Sequence, residues 1–126
     1  MQTICDTNIF IKLFKDDETV KAELAKIGSN NILMPSITAM ELYQGMQNKV
    51  ELRAMIRKIR YFNLINLNEA ASEKAIEIIA EYKLSHGIAI PDALIGAIAL
   101  TYDLELYTYN IKDFHYLPNI KLRPLP

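Results

Sequence analysis

Short runs of aliphatic and β-branched residues alternate along the chain with longer segments whose apolar positions recur every three or four residues. The first pattern predicts strands and the second amphipathic helices. Gln2–Cys5 is an apolar strand signal, and Asp6-Thr7-Asn8 follows at once as a block of capping residues opening a helix over Ile9–Phe14. Acidic Asp16, Asp17 and Glu18 start a second helix reaching Ile27, which Gly28-Ser29-Asn30-Asn31 breaks. Ile32–Met34 is a second strand. Ser36 or Thr38 then caps a helix to Asn48, with Thr38 and Glu41 spaced as a capping box, and a further amphipathic helix spans Lys49–Phe62. Leu64–Leu67 predicts a third strand, and Asn68 caps the longest helix, Glu69–Leu84, which Gly87 terminates. Pro91 at a first helical position opens a strongly apolar helix over Asp92–Tyr102, and Glu105–Tyr107 and Ile120–Leu122 are the last strands.

Strands alternating with helices predict an α/β architecture with a mainly parallel central sheet covered by helices on both faces, in which ligands sit beyond the carboxyl ends of the strands. The 126 residues, 51% of them hydrophobic and 23% charged, exclude disorder, and leave room for one domain over 1–126 with no linker, repeat or low-complexity segment. A single cysteine, Cys5, and the lack of a cationic leader predict a reduced, cytoplasmic protein, and no apolar stretch approaches the length of a membrane span. With 14 basic and 15 acidic residues the net charge is −1, so a nucleic-acid partner would have to be held by a local basic patch.

There is no glycine-rich phosphate loop, Walker lysine, paired metal-binding cysteines or His-x-x-x-His helix, so the carboxylates are the plentiful chemical resource. Most suit solvated faces: Asp16, Asp17, Glu18 and Glu23 on one helix, Glu69, Glu73, Glu77 and Glu81 on another, Glu51 among basic residues, and Asp103 and Glu105 beside a turn. Four resist that reading. Asp6 follows the first strand at the rim of the sheet, although it also suits a helix cap. Glu41 sits inside the apolar run Ile37–Tyr43, where an unpartnered charge is costly. Asp92 precedes a helix apolar nearly all round, as a first-turn acid would, and Asp113 lies just beyond the strand Leu106-Tyr107. The topology brings these strand ends and helix starts to one edge. Carboxylates gathered in a cleft repel one another and require protons or a divalent cation. Oxygen ligands without His or Cys favour Mg²⁺ or Mn²⁺, ions that activate water against a phosphodiester. Nuclease chemistry follows.

The same residues lie in four segments that occur in order: Ile4-Cys5-Asp6-Thr7-Asn8, Met40-Glu41-Leu42-x-x-Gly45, Ile90-Pro91-Asp92-Ala93-Leu94-Ile95-Gly96-Ala97 and Thr108-Tyr109-Asn110-Ile111-Lys112-Asp113-Phe114. Over essentially its whole length the chain resembles PIN-domain ribonucleases, and in particular the VapC-like toxins of type II toxin–antitoxin pairs. The resemblance implies a PIN-like three-layer α/β/α sandwich and a metal-dependent endoribonuclease with Asp6, Glu41, Asp92 and Asp113 around one or two Mg²⁺ or Mn²⁺ ions. It further implies polar support from Thr7, Asn8, Thr108 and Asn110, and a homodimer held inactive by a cognate antitoxin. Where many relatives carry a basic residue in the last motif this chain has Tyr109, suited to stacking on an RNA base.

Lys49, Arg53, Arg57 and Arg60 form a basic stripe opposite Leu52, Ile56 and Ile59, fit for an RNA backbone, an acidic partner segment or solvent. His86 and His115 have no nucleophile or ligand partner at recognisable spacing, and Cys5 suits a buried small hydrophobe. Two other readings stay open: a catalytically silent PIN-like module that binds RNA or protein, and a phosphotransfer enzyme with Asp6 as nucleophile. The latter is weakened by Asn8 in place of the second aspartate of an Asp-x-Asp motif.

Overall fold

In the computed structural model, which describes residues 1–126, alternate residues of the central strands point to opposite faces and build two separate cores. The strands are β1 (Thr3–Cys5), β2 (Ile32–Pro35), β3 (Asn63–Ile65), β4 (Glu105–Tyr107) and β5 (Lys121–Leu122). They form one sheet in the order β3-β2-β1-β4-β5, and every pairing is parallel. Ile4, Leu33 and Leu106 point to one face, and Cys5, Met34 and Tyr107 to the other, as the two-residue period of a strand requires.

Helices cover both faces. α1 (Thr7–Phe14), α2 (Glu18–Ile27), α3 (Ser36–Gln44) and α4 (Lys49–Ile59) supply Ile9, Phe10, Val20, Leu24, Leu42 and Met55 to the Cys5 side. There Phe10 packs edge-on against Phe62 with ring centroids 5.1 Å apart. α5 (Glu69–His86) and α6 (Ile90–Thr101) cover the Ile4 side, with Ala71, Ala75, Ala93 and Ala97 in one core, small residues that let two helices approach closely. This is the predicted three-layer α/β sandwich, its sheet wholly parallel. No helix is long and apolar enough to cross a membrane.

The helix starts follow local chemistry. The side chains of Asn48 and Asn68 accept from Glu51 N at 2.9 Å and Ala71 N at 2.8 Å, capping α4 and α5. Gly87 ends α5 in the left-handed region at φ 65°. The boundaries differ from the sequence reading mainly around α3. It ends at Gln44, not Asn48, because Asn48 is spent as the cap of α4. It also starts at Ser36 directly after Pro35, with no side-chain cap, so Thr38 lies inside the helix and the capping box is not formed. β3 sits a residue or two before the predicted Leu64–Leu67, and β5 is confined to Lys121–Leu122.

Candidate functional site

β1 has β2 on one side and β4 on the other, so the strand order reverses at the β1/β4 pair, and the carboxyl ends of those strands flank the switch point where open α/β sheets bind ligands. Asp6 stands there. Its extended backbone ends β1, and its Oδ1 accepts from Thr7 N at 2.7 Å at the start of α1. Its Oδ2 accepts from the Thr108 hydroxyl, just past β4, at 2.8 Å. The residue is therefore both a helix cap and a rim carboxylate. Only 3% of its surface is exposed. Burial raises its pKa, the hydrogen bonds from Thr108 and Thr7 oppose that rise, and the charge of Glu41 adds to it.

Glu41 reaches the same place from α3. Its Oε1 accepts from the Thr7 hydroxyl at 2.8 Å, and that hydroxyl lies 2.9 Å from the hydroxyl of Thr38. Thr7 has one hydroxyl proton, so donating it to Glu41 leaves Thr38 to donate to Thr7. The buried Thr38 thus stands behind Thr7 and orients it toward the carboxylate. Thr38-x-x-Glu41 is a real structural pair, joined through Thr7 and not through the helix backbone. The spacing alone could not distinguish the two.

Asp92 lies in the first turn of α6 and is half-buried. Burial, and then the charges of Asp6, Asp113 and Glu41, push its carboxyl up to about 6. Asp113 ends the short 3-10 turn Ile111–Asp113, which leads into Phe114 and Leu117 packed on α6. Gly96, one turn beyond Asp92, permits that approach: a Cβ there would stand 2.8 Å from Leu117 Cδ1. The loop start is pinned as well, since Asn110 N donates to the Thr108 hydroxyl at 2.9 Å.

Asp6, Glu41 and Asp113 thus come from three separate segments into electrostatic reach of Asp92 on a fourth, and Asp6 also feels the charge of Glu41. No three His, Cys, Asp or Glu side chains are arranged to hold an ion by themselves. The donor set fits Mg²⁺ or Mn²⁺ through one or two carboxylates at a time, because such ions keep several waters and take their other ligands from solvent and substrate phosphate. Oδ1 of Asp6 accepts from Thr7 N and Oδ2 from the Thr108 hydroxyl, the Asn110 side chain also acts on the carboxylate, and a carboxylate's four acceptor sites leave one for such a ligand.

Asn8, Tyr109 and Asn110 line an open cavity together with Ile11, Lys12 and Lys15. The two lysines escaped the sequence reading because neither belongs to a basic run. Lys49, Arg53, Arg57 and Arg60 are all exposed on or at the end of α4, and none forms an ion pair. His86 stacks on Tyr116 with ring centroids 3.9 Å apart, and His115 lies edge-on to the same tyrosine. The Cys5 thiol is fully buried and its pKa is pushed up to about 12, the behaviour of an inert core residue. Glu23 and Glu105 depart from the solvated role their positions implied, for Arg123 binds both, Glu23 at 2.7 Å and Glu105 at 3.1 Å.

The profile of the PIN domain family matches residues 3–118. No curated protein sequence matches the chain. Among solved structures, a toxin–antitoxin complex from Klebsiella pneumoniae is 30% identical with a TM-score of 0.80, covering 99% of this chain and 98% of its own. VapBC-1 from nontypeable Haemophilus influenzae is 27% identical with a TM-score of 0.80, covering 99% and 98%. VapBC2 from Rickettsia felis, bound to a DNA fragment from its promoter, is 25% identical with a TM-score of 0.83, covering 98% of each chain. A profile match over nearly the whole chain and a relative of this identity at full coverage agree with the acids at the sheet's switch point: the chain belongs to the PIN-domain family and is a VapC-like member of it.

Proposed function

We propose that this protein is a metal-dependent endoribonuclease, the toxin of a type II toxin–antitoxin pair, with Asp6, Glu41, Asp92 and Asp113 as the residues that hold Mg²⁺ or Mn²⁺. The observation that carries this reading is geometric: the buried Asp6 is fixed at the sheet's switch point by Thr7 N–H and the Thr108 hydroxyl, and Glu41 is joined to it through Thr7. The half-buried Asp92 stands within reach of their charges and that of Asp113, which together with burial raise its pKa. Such crowding costs stability without a counter-ion, and a divalent cation relieves it. When bound, the ion supplies positive charge at the phosphodiester and an activated water.

The chain's own residues do the positioning. Thr7 N–H and the Thr108 hydroxyl fix the Asp6 carboxylate from two sides, and the Thr38–Thr7 hydroxyl pair fixes Glu41. Asp92 and Asp113 sit on elements locked together by the close packing at Gly96. In hydrolysis water adds to phosphorus, a ribose oxygen leaves and takes a proton, and the acids accept hydrogen bonds that orient the attacking water. Lys49, Arg53, Arg57 and Arg60 contact RNA backbone beyond the cleft, and Tyr109 stacks on a base. The partners in this reading are single-stranded RNA, a cognate antitoxin and a second copy of the chain, and the compartment is the cytoplasm. The relatives captured as toxin–antitoxin complexes support the antitoxin.

The test is cleavage of single-stranded RNA by the purified chain in Mg²⁺, in Mn²⁺ and in EDTA, beside Asp6→Asn prepared identically. Cleavage that needs the metal and disappears in the variant is the expected result. Equal cleavage by the variant, or none by the wild type in either metal, overturns the proposal and leaves a silent binding module.

A further inference from the structure

The open cavity of about 380 Å³ lined by Asn8, Ile11, Lys12, Lys15, Tyr109 and Asn110 is built in part from residues that neighbour the hydrogen-bond partners of Asp6. Asn8 adjoins Thr7, whose N–H donates to Asp6. Asn110 N donates to the Thr108 hydroxyl that donates in turn to Asp6. Lys15 also lines a neighbouring cavity of about 270 Å³ that Glu41 borders, so the groove and one of the four acids share a wall residue.

The groove carries the two chemistries that a nucleotide asks for. Lys12 Nζ lies 5.2 Å from the centroid of the half-buried Tyr109 ring, and neither Lys12 nor Lys15 is paired with an acid. The one acid along the groove, Asp17, is occupied, since its Oδ1 accepts from Val20 N at 3.0 Å as the cap of α2. Two ammonium groups without an acid partner therefore line the groove with an aromatic ring, one face of which Lys12 covers.

We propose that this groove is the subsite for the nucleotide adjoining the scissile phosphate of single-stranded RNA, with Tyr109 stacking on its base, Lys12 and Lys15 holding its phosphates, and Asn8 and Asn110 facing the sugar or base edge. A single strand is specified because the bases of a duplex are stacked on one another and offer no free face to a tyrosine. The inference rests on the nuclease reading above and assigns the strand's path beside that site.

The test measures binding of a short, randomised, fluorescein-labelled single-stranded RNA in EDTA, where metal-dependent cleavage is stopped, across a salt series. Replacing both lysines (Lys12→Ala with Lys15→Ala) makes the negative slope of log affinity against log salt shallower by about 1.4, at about 0.7 per phosphate contact. Tyr109→Leu weakens binding by about tenfold, and Tyr109→Phe, which keeps the ring, binds as wild type. A wild type that cleaves RNA in Mn²⁺ while these variants bind with unchanged slope and affinity overturns the groove alone. A wild type that neither binds nor cleaves RNA overturns the groove together with the nuclease reading.

Discussion

The hydroxyl of Thr108 donates to Oδ2 of Asp6 at 2.8 Å, joining residues 102 positions apart in the chain. The contact exists because β1 and β4 are parallel neighbours with Cys5 opposite Tyr107, so the residues that follow each strand emerge side by side. The backbone N–H of Thr7 holds the other oxygen, and the carboxylate has one orientation.

Thr108→Val keeps the shape and removes the donor. A buried carboxylate that loses a hydrogen bond costs about 2 kcal/mol, and without this bond the Asp6 pKa moves further upward. Urea denaturation of Thr108→Val should show that loss together with reduced metal-dependent cleavage, and Thr108→Ser should stay close to wild type in both.

Asp92 contributes to the pH response of the metal-free protein in the same direction as the buried Asp6, whose carboxyl is also raised. Burial first, and then its acidic neighbours, push the Asp92 carboxyl up to about 6. Between the ordinary aspartate value of about 4 and about 6, the folded chain keeps a proton that the unfolded chain has released. Stability is therefore greater at the acid end of that window and falls as pH rises through it. For a half-exposed side chain screened by solvent the loss is about 1 kcal/mol, or about 4 °C in melting temperature. In EDTA wild type should melt higher at about pH 5.5 than at about pH 7.5, and Asp92→Asn should raise the melting temperature at about pH 7.5. A first-turn aspartate whose only role is to favour the helix dipole would do the reverse.

At the opposite end of the sheet Arg123 bridges α2 to β4. Its Nε and Nη2 donate to Glu23 Oε1 at 3.1 and 2.7 Å, and its Nη1 donates to Glu105 Oε1 at 3.1 Å. The Thr3 hydroxyl donates to the same Glu105 oxygen at 3.2 Å. Glu23 is only 6% exposed and keeps only the looser Lys26 contact at 3.9 Å without Arg123, so Arg123→Ala should cost about 3 kcal/mol. Thermal melts read that loss, and the cleavage rate of the folded fraction at low temperature should stay at the wild-type value.

The α4 stripe is tested by the pair Arg53→Ala and Arg57→Ala. Both arginines contact RNA phosphates in the proposed reading, so the salt dependence of binding should become shallower by about 1.4 in log–log slope. An unchanged slope would leave the stripe facing antitoxin or solvent.

Elements with strong local signals were legible in the sequence. Asn68 with Gly87 brackets α5, Pro91 opens α6, and the alternation of strand and helix predicts the parallel sheet, with Asp6 at the carboxyl end of β1. The capping-box spacing of Thr38 and Glu41 misled because one spacing serves two geometries, and only the position of Thr7 across the cleft selects between them. Glu23 was read as solvated because its partner, Arg123, lies 100 residues on and pairs only through the fold. Lys12 and Lys15 were passed over for a similar reason, since the basic face of α4 has a periodicity and the groove beside Tyr109 has none.

Calorimetric titration of the metal-free protein with Mn²⁺ at neutral pH tests the carboxylate site most directly. The account predicts a saturable site in wild type that is lost or strongly weakened in both Asp6→Asn and Asp92→Asn while each variant still melts cooperatively. Mn²⁺ binding of wild-type strength in both variants, or none in the wild type, would contradict it.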